Sequence, residues 1–157
     1  MSSAIERFSE GARALGLHPE VRRFPEGTKT AEAAARAIGC DVGQIVKSLI
    51  FMADGAAVLA LTSGRNRVDE SKLAAVTGAR EVRRATPEEA REATGFAVGG
   101  TPPFGHTQTV RAFIDGGLLG YDLVWAAAGT PDSVFPLTPA DLLRVSEATT
   151  AAFTEDR

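Results

Sequence analysis

Ile5, Phe8, Ala12 and Leu15 recur at helical spacing, which predicts an amphipathic helix over 3–15 closed by Gly16. Glu20 to Phe24 reads as a short strand, broken by Pro25 and Gly27. The alanine-rich run Thr30 to Ile38 is helical; Thr28 or Thr30 supplies the N-cap and Gly39 the stop. Ile45–Met52 and Ala56–Thr62 are apolar runs of strand length. The Asp54-Gly55 pair between them is the strongest hairpin signal in the chain.

The second half continues in the same way. Asp69 caps a helix carrying Leu73 and Val76 and ended by Gly78, and Glu81 to Arg84 is a short strand. Thr86-Pro87-Glu88-Glu89 places an N-cap, an N1 proline and an N3 glutamate in order, and Gly95 stops that helix. Phe96 to His106 is a Gly/Pro-rich loop. Strands follow at Thr109–Ile114, Leu123–Ala128 and Ser133–Leu137, then a helix started by Thr138-Pro139-Ala140-Asp141, and a loose tail from Thr149. Strands and helices are interspersed, with one clear hairpin, so an α+β fold on a mixed sheet is expected. No linker or repeat breaks the pattern, and a single domain over 1–157 follows.

Composition narrows the classes. Of 157 residues, 44% are apolar and 24% charged, which suits a chain that buries a core. The net charge of −3 gives no global field for nucleic acid, so any RNA contact is expected to be local. The single cysteine excludes an internal disulfide and suits a reducing, cytoplasmic setting. The N-terminus lacks a signal-peptide core. The longest apolar runs fall well short of the roughly 20 residues of a membrane span. No phosphate-loop or dinucleotide fingerprint occurs. His18, His106 and Cys40 lack metal-ligand spacing, so no metal or other cofactor is expected.

Two features stand out as candidate chemistry. Lys47 interrupts a run that otherwise reads as buried strand, so its ammonium must be paired, reach solvent or face a cleft. In the loop Gly99-Gly100-Thr101-Pro102-Pro103-Phe104-Gly105-His106, glycines permit close backbone approach and prolines fix the path. The N–H groups of Gly99, Gly100 and Thr101 are then candidates to converge on a carbonyl or carboxylate oxygen. Taken singly, a lysine snorkelling at a strand end and a plain rigid connection are the better readings.

Together these residues resemble the YbaK family, the fold of free-standing aminoacyl-tRNA deacylases and of the editing insertion in bacterial prolyl-tRNA synthetases. The resemblance runs from about Phe24 to Glu147. It rests on the Thr30–Ile38 helix, Gln44 to Phe51, Arg67-Val68-Asp69 and the block from Thr94 to Gly105. A Gly-x-x-x-Pro motif falls on Gly99 and Pro103, and Ala128-Gly129 precedes a strand and a Leu-Thr-Pro-Ala-Asp-Leu helix start. The resemblance implies a mixed, strongly curved β-sheet flanked by helices. The implied activity is hydrolysis of the ester joining a wrong amino acid to the 3′ end of a tRNA, acting in trans. The implied partners are the tRNA acceptor end and an aminoacyl-tRNA synthetase. By the same resemblance Lys47 anchors the substrate, the Gly99–Pro103 loop positions the aminoacyl carbonyl, and catalysis leans on water and the substrate's own groups. A non-catalytic module of the same fold, binding a small metabolite, a nucleotide or a synthetase, is the alternative.

Lesser candidates complete the set. Ser48 offers a hydroxyl, although strand alternation points it away from Lys47. Gly129, Thr130 and Asp132 either line the pocket or form a turn. His106 either acts as a base or orients the loop. Arg65, Arg67 and Lys72 either form a rim for tRNA phosphates or a solvated face. Cys40 reads as a small buried residue and His18 as a surface one.

Overall fold

A computed structural model describes residues 3–24 and 30–156. Pro25, Gly27 and the alternative cap Thr28 lie outside the described residues. Five α-helices are described: α1 (Ala4–Ala14), α2 (Ala31–Ile38), α3 (Glu70–Thr77), α4 (Pro87–Thr94) and α5 (Pro139–Ser146). The strands are β1 (Arg22–Arg23), β2 (Val46–Ala53), β3 (Ala56–Ser63), β4 (Val82–Arg84), β5 (Arg111–Asp115), β6 (Val124–Ala127), β7 (Ser133–Leu137) and β8 (Thr149–Ala151). Short 3-10 turns occupy Val42–Gln44 and Gly116–Gly120.

The helices start where side chains satisfy free N–H groups. Thr30 accepts from Ala33 N, Asp69 from Ser71 N and Lys72 N, Thr86 from Glu89 N, and Thr138 from Asp141 N. Gly39, Gly78 and Gly95 end α2, α3 and α4 in the left-handed conformation.

The strands divide into two sheets. One has the order β4-β2-β3-β5-β8, antiparallel from β4 to β3 and parallel from β3 to β8; the other is the antiparallel set β1-β7-β6. A lone parallel bridge from Ile45 to Trp125 joins them. The five-stranded sheet is mixed, as expected, and is buried on both faces. Val46, Ile50, Leu59, Leu61 and Ile114 enter the main core around Phe8, Phe104 and Phe135. Phe51, Val58, Ala60 and Phe113 enter a second core with Leu73 and Phe153. Two-sided burial explains why β2 and β3 read as continuous apolar runs.

Several boundaries differ from the sequence reading. The first strand shrinks to two residues, and β5 begins at Arg111 rather than Thr109. The tail is not loose. β8 adds to β5 in parallel, Val68 bridges Thr154, and Phe153 is fully buried. Its partners lie far away in sequence, 36 residues for the β5 pairing and 86 for the Val68 bridge, so local pattern carried no trace of them.

Candidate functional site

β2 pairs with β3 along its whole length. Its other edge meets β4 only over Phe51–Ala53 and touches Trp125 through Ile45. Between those contacts the strand borders a cleft of about 270 Å³. Lys47, Ser48 and Leu49 form one side, and Val98, Gly99 and Thr101 another. Apolar and small side chains fill most of the remainder, including Ala34 of α2, Ala90 of α4 and Trp125 of β6.

Lys47 is partly buried, and its Nζ donates to the Asn66 carbonyl at 2.5 Å. Asn66 is itself held: its Nδ2 donates to Asp115 Oδ2 at 2.8 Å. Asp115 is buried at the end of β5 and also accepts from Ser63 N and Gly117 N. A carboxylate thus organises the turn that fixes the lysine. Burial pushes the Lys47 ammonium below its usual range, and the positive charges of Arg67 and Arg84 push the same way; Glu32 and Asp115 act in the opposite sense.

Strand alternation puts Lys47 on the face of Leu49 and Phe51, and Ser48 on the face of Val46 and Ile50. Both border the cleft because it opens along the strand edge. The Ser48 hydroxyl oxygen is buried and has no hydrogen-bond partner among the described residues.

The glycine–proline loop divides into cleft-lining and supporting residues. Gly99 adopts φ +88 and is exposed, and Thr101 is buried. Among the described residues, neither backbone N–H has a hydrogen-bond partner. The Gly100 N–H does not join them, because it donates to the Ala97 carbonyl at 2.9 Å. Three converging donors were expected, and the Gly100 N–H is taken within the loop. Gly100 instead packs against another loop: a Cβ there would lie 2.7 Å from Thr130 Cα. Pro102 and Pro103 are buried, and Phe104 packs against Phe8 and, edge-on, Phe135 at centroid separations of 5.4 and 6.0 Å. Gly105 permits the turn at φ +74.

His106 Nε2 donates to the Pro102 carbonyl at 2.7 Å, since a carbonyl only accepts. Burial pushes the imidazole below its usual value, although this bond opposes the shift. The ring ties one end of the loop to the other and does not border the cleft.

Gly129, Thr130 and Asp132 form a turn behind the cleft wall. The Thr130 hydroxyl donates to Asp132 Oδ1 at 2.5 Å, and Arg23 reaches Asp132 Oδ2 at 3.1 Å. Gly129, at φ +112, lies under the Ala4 carbonyl, where a Cβ would come within 2.7 Å. Their neighbours Pro131 and Ser133 reach the cleft instead. Of the proposed basic rim, Arg65 pairs with Asp41 and Lys72 with Asp156, while Arg67 makes no ion pair among the described residues. Cys40 is only partly buried, His18 is exposed, and no three metal-ligating side chains converge among the described residues.

A model of the aminoacyl-tRNA editing domain matches residues 25–145. The chain belongs to this family. A solved structure described as a candidate trans-editing enzyme for prolyl tRNA synthetase is 45% identical, with 99% of each chain covered and a TM-score of 0.93. YwhH of Bacillus subtilis, a protein with no assigned function, is 31% identical over 81% of each chain. A proline–tRNA ligase of Nitratidesulfovibrio vulgaris is 37% identical over 63% of this editing domain. The matching stretch is only 17% of that ligase.

Sequence reasoning missed Asn66, Asp115 and Arg84 around the editing domain's cleft. A lone aspartate ending the apolar run Phe113-Ile114 before two glycines was the available signal for Asp115. Arg84 carried none, because its place follows from how β4 pairs with β2.

Proposed function

We propose that this editing domain hydrolyses the ester between a mischarged amino acid and the 3′ end of a tRNA. Water attacks the ester carbonyl, the bond to the ribose oxygen breaks, and a free amino acid and an uncharged tRNA leave. The observation that carries the reading is the shared cleft. Lys47, with its ammonium held, borders one small, mostly apolar cavity together with Gly99 and Thr101, whose backbone N–H groups have no partner among the described residues. The N–H pair is suited to polarise the carbonyl and stabilise the developing oxyanion. Lys47 anchors the substrate beside it. An aminoacyl ester is already reactive, so positioning and polarisation are sufficient without a covalent intermediate. The alanine- and tryptophan-lined walls exclude large side chains and admit small ones, a size sieve.

The test is deacylation of a panel of mischarged tRNAs, beginning with alanyl- and cysteinyl-tRNA carrying the proline acceptor. Turnover above buffer that disappears in Lys47→Ala supports the proposal. No turnover on any member, with stabilisation by a free amino acid or nucleotide instead, would assign the cleft to a binding module.

A further inference from the structure

A second groove, of about 420 Å³, adjoins the cleft and shares Lys47, Leu49 and Arg84 with it. Its remaining lining is Phe51, Arg67, Val68, Glu70 and Glu155. Two of its cations contrast with their sequence neighbours. Arg83 grips Glu89 through two 2.8 Å hydrogen bonds, whereas Arg84 makes no ion pair among the described residues and lies over the Phe51 ring. Arg65 grips Asp41 at 2.8 and 3.0 Å, whereas Arg67 makes no ion pair among the described residues. Glu70 and Glu155 share the groove, but neither forms an ion pair with either arginine. Arg67 and Arg84 therefore stand beside Lys47 with neither guanidinium committed to an ion pair among the described residues.

We infer that this groove is a phosphodiester subsite, in which Arg67 and Arg84 hold the backbone of the single-stranded 3′ end whose terminal ester occupies the cleft. The identity of the strand rests on the deacylase reading; the anion preference rests on the groove alone. A strand with its last ribose at the Lys47 border must leave the cleft carrying one negative charge per nucleotide. The groove opens at that border and presents guanidinium groups, which match phosphate geometry. The Phe51 ring beneath Arg84 keeps that guanidinium extended over the groove. With only two arginines and two glutamates alongside, the contact is short and of modest strength, in keeping with a chain of net charge −3.

The experiment uses the whole chain and a 5′-labelled single-stranded RNA ending in CCA, uncharged, with binding followed by fluorescence anisotropy across a salt series. Two phosphate contacts on a single strand give a log–log slope of roughly −1.4. Arg67→Gln and Arg84→Gln are each expected to weaken binding and flatten that slope by about 0.7. Arg13→Gln, which removes a charge from α1 outside both cavities, is expected to leave it unchanged. Equal effects of all three variants, no measurable binding by the parent chain, or equally tight binding of cytidine monophosphate would overturn the inference. Because the RNA carries no amino acid, Arg67-dependent binding without deacylation on the panel would uphold the subsite and remove the proposed activity.

Discussion

The Lys47 ammonium is held by the Asn66 main-chain carbonyl, not by a carboxylate. A carbonyl fixes the direction of the ammonium without neutralising it, so its charge stays available to a substrate. Lys47→Ala is expected to lower kcat/KM by roughly a hundredfold or more, the scale of losing one well-placed electrostatic group. Stability is expected to change by only about 1–2 kcal/mol, because one charged hydrogen bond is lost at a partly buried site. Deacylation rates and urea unfolding of the same protein check both halves.

The two adjacent glycines of the loop do different work. At Gly99 a Cβ meets only Pro131 at 3.6 Å, so alanine costs mainly the left-handed strain, about 1 kcal/mol. At Gly100 a Cβ meets the Thr130–Gly129 backbone at 2.7–2.9 Å and forces the loops apart. Gly100→Ala is expected to cost about 1–3 kcal/mol and more activity than Gly99→Ala. Thermal melts and deacylation rates of the two variants, measured side by side, test that order.

The parts of the fold that were legible are those decided within a few residues. The Asp54-Gly55 hairpin and the caps at Thr30, Asp69, Thr86 and Thr138 form where their residue types require them. The site was legible as two separate oddities, Lys47 and the Gly99 loop. What joins them was not: the open edge of β2 depends on where β4 and β6 pair. Gly100 was misread because its N–H is taken by a carbonyl three residues back, a detail of turn geometry that composition does not encode.

Ser48 gives a prediction in which stability and activity separate. A buried hydroxyl without a partner costs about 1–3 kcal/mol, so Ser48→Ala is expected to keep or raise the melting temperature. If a substrate group satisfies that hydroxyl in the cleft, kcat/KM falls about tenfold, the equivalent of one neutral hydrogen bond. A lower melting temperature with unchanged turnover would place the hydroxyl in the framework instead.

His106 predicts a pH dependence. Its folded pKa lies below the ordinary 6.5 because burial disfavours the imidazolium. Between the folded value and 6.5 the unfolded chain binds more protons, so stability rises with pH through that window. It is fully present above 6.5 and is lost as acid protonates the ring and removes the neutral tautomer. Melting temperature between pH 5 and 7.5 is expected to fall on acidification more steeply in the parent than in His106→Gln, which keeps a donor for the Pro102 carbonyl. Parallel curves would show that other groups set the slope.

Phe153 connects the C-terminal segment to the proposed RNA path. Its ring is fully buried in the second core with Leu73 and Phe113. Its carbonyl accepts from Asp69 N, and two residues on Glu155 N donates to the Arg67 carbonyl. The tail therefore clamps both sides of the segment that carries Arg67. Phe153→Ala removes a large buried ring and is expected to cost about 3–5 kcal/mol in urea unfolding. It is also expected to weaken CCA-strand binding at temperatures where the chain is still folded, because the Arg67 backbone loses its strap. Phe153→Leu keeps most of the apolar volume and is expected to recover most of the stability and the binding. If Phe153→Ala unfolds easily but binds RNA as the parent does, the clamp supports the core alone and Arg67 is placed by β3 and α3 without it.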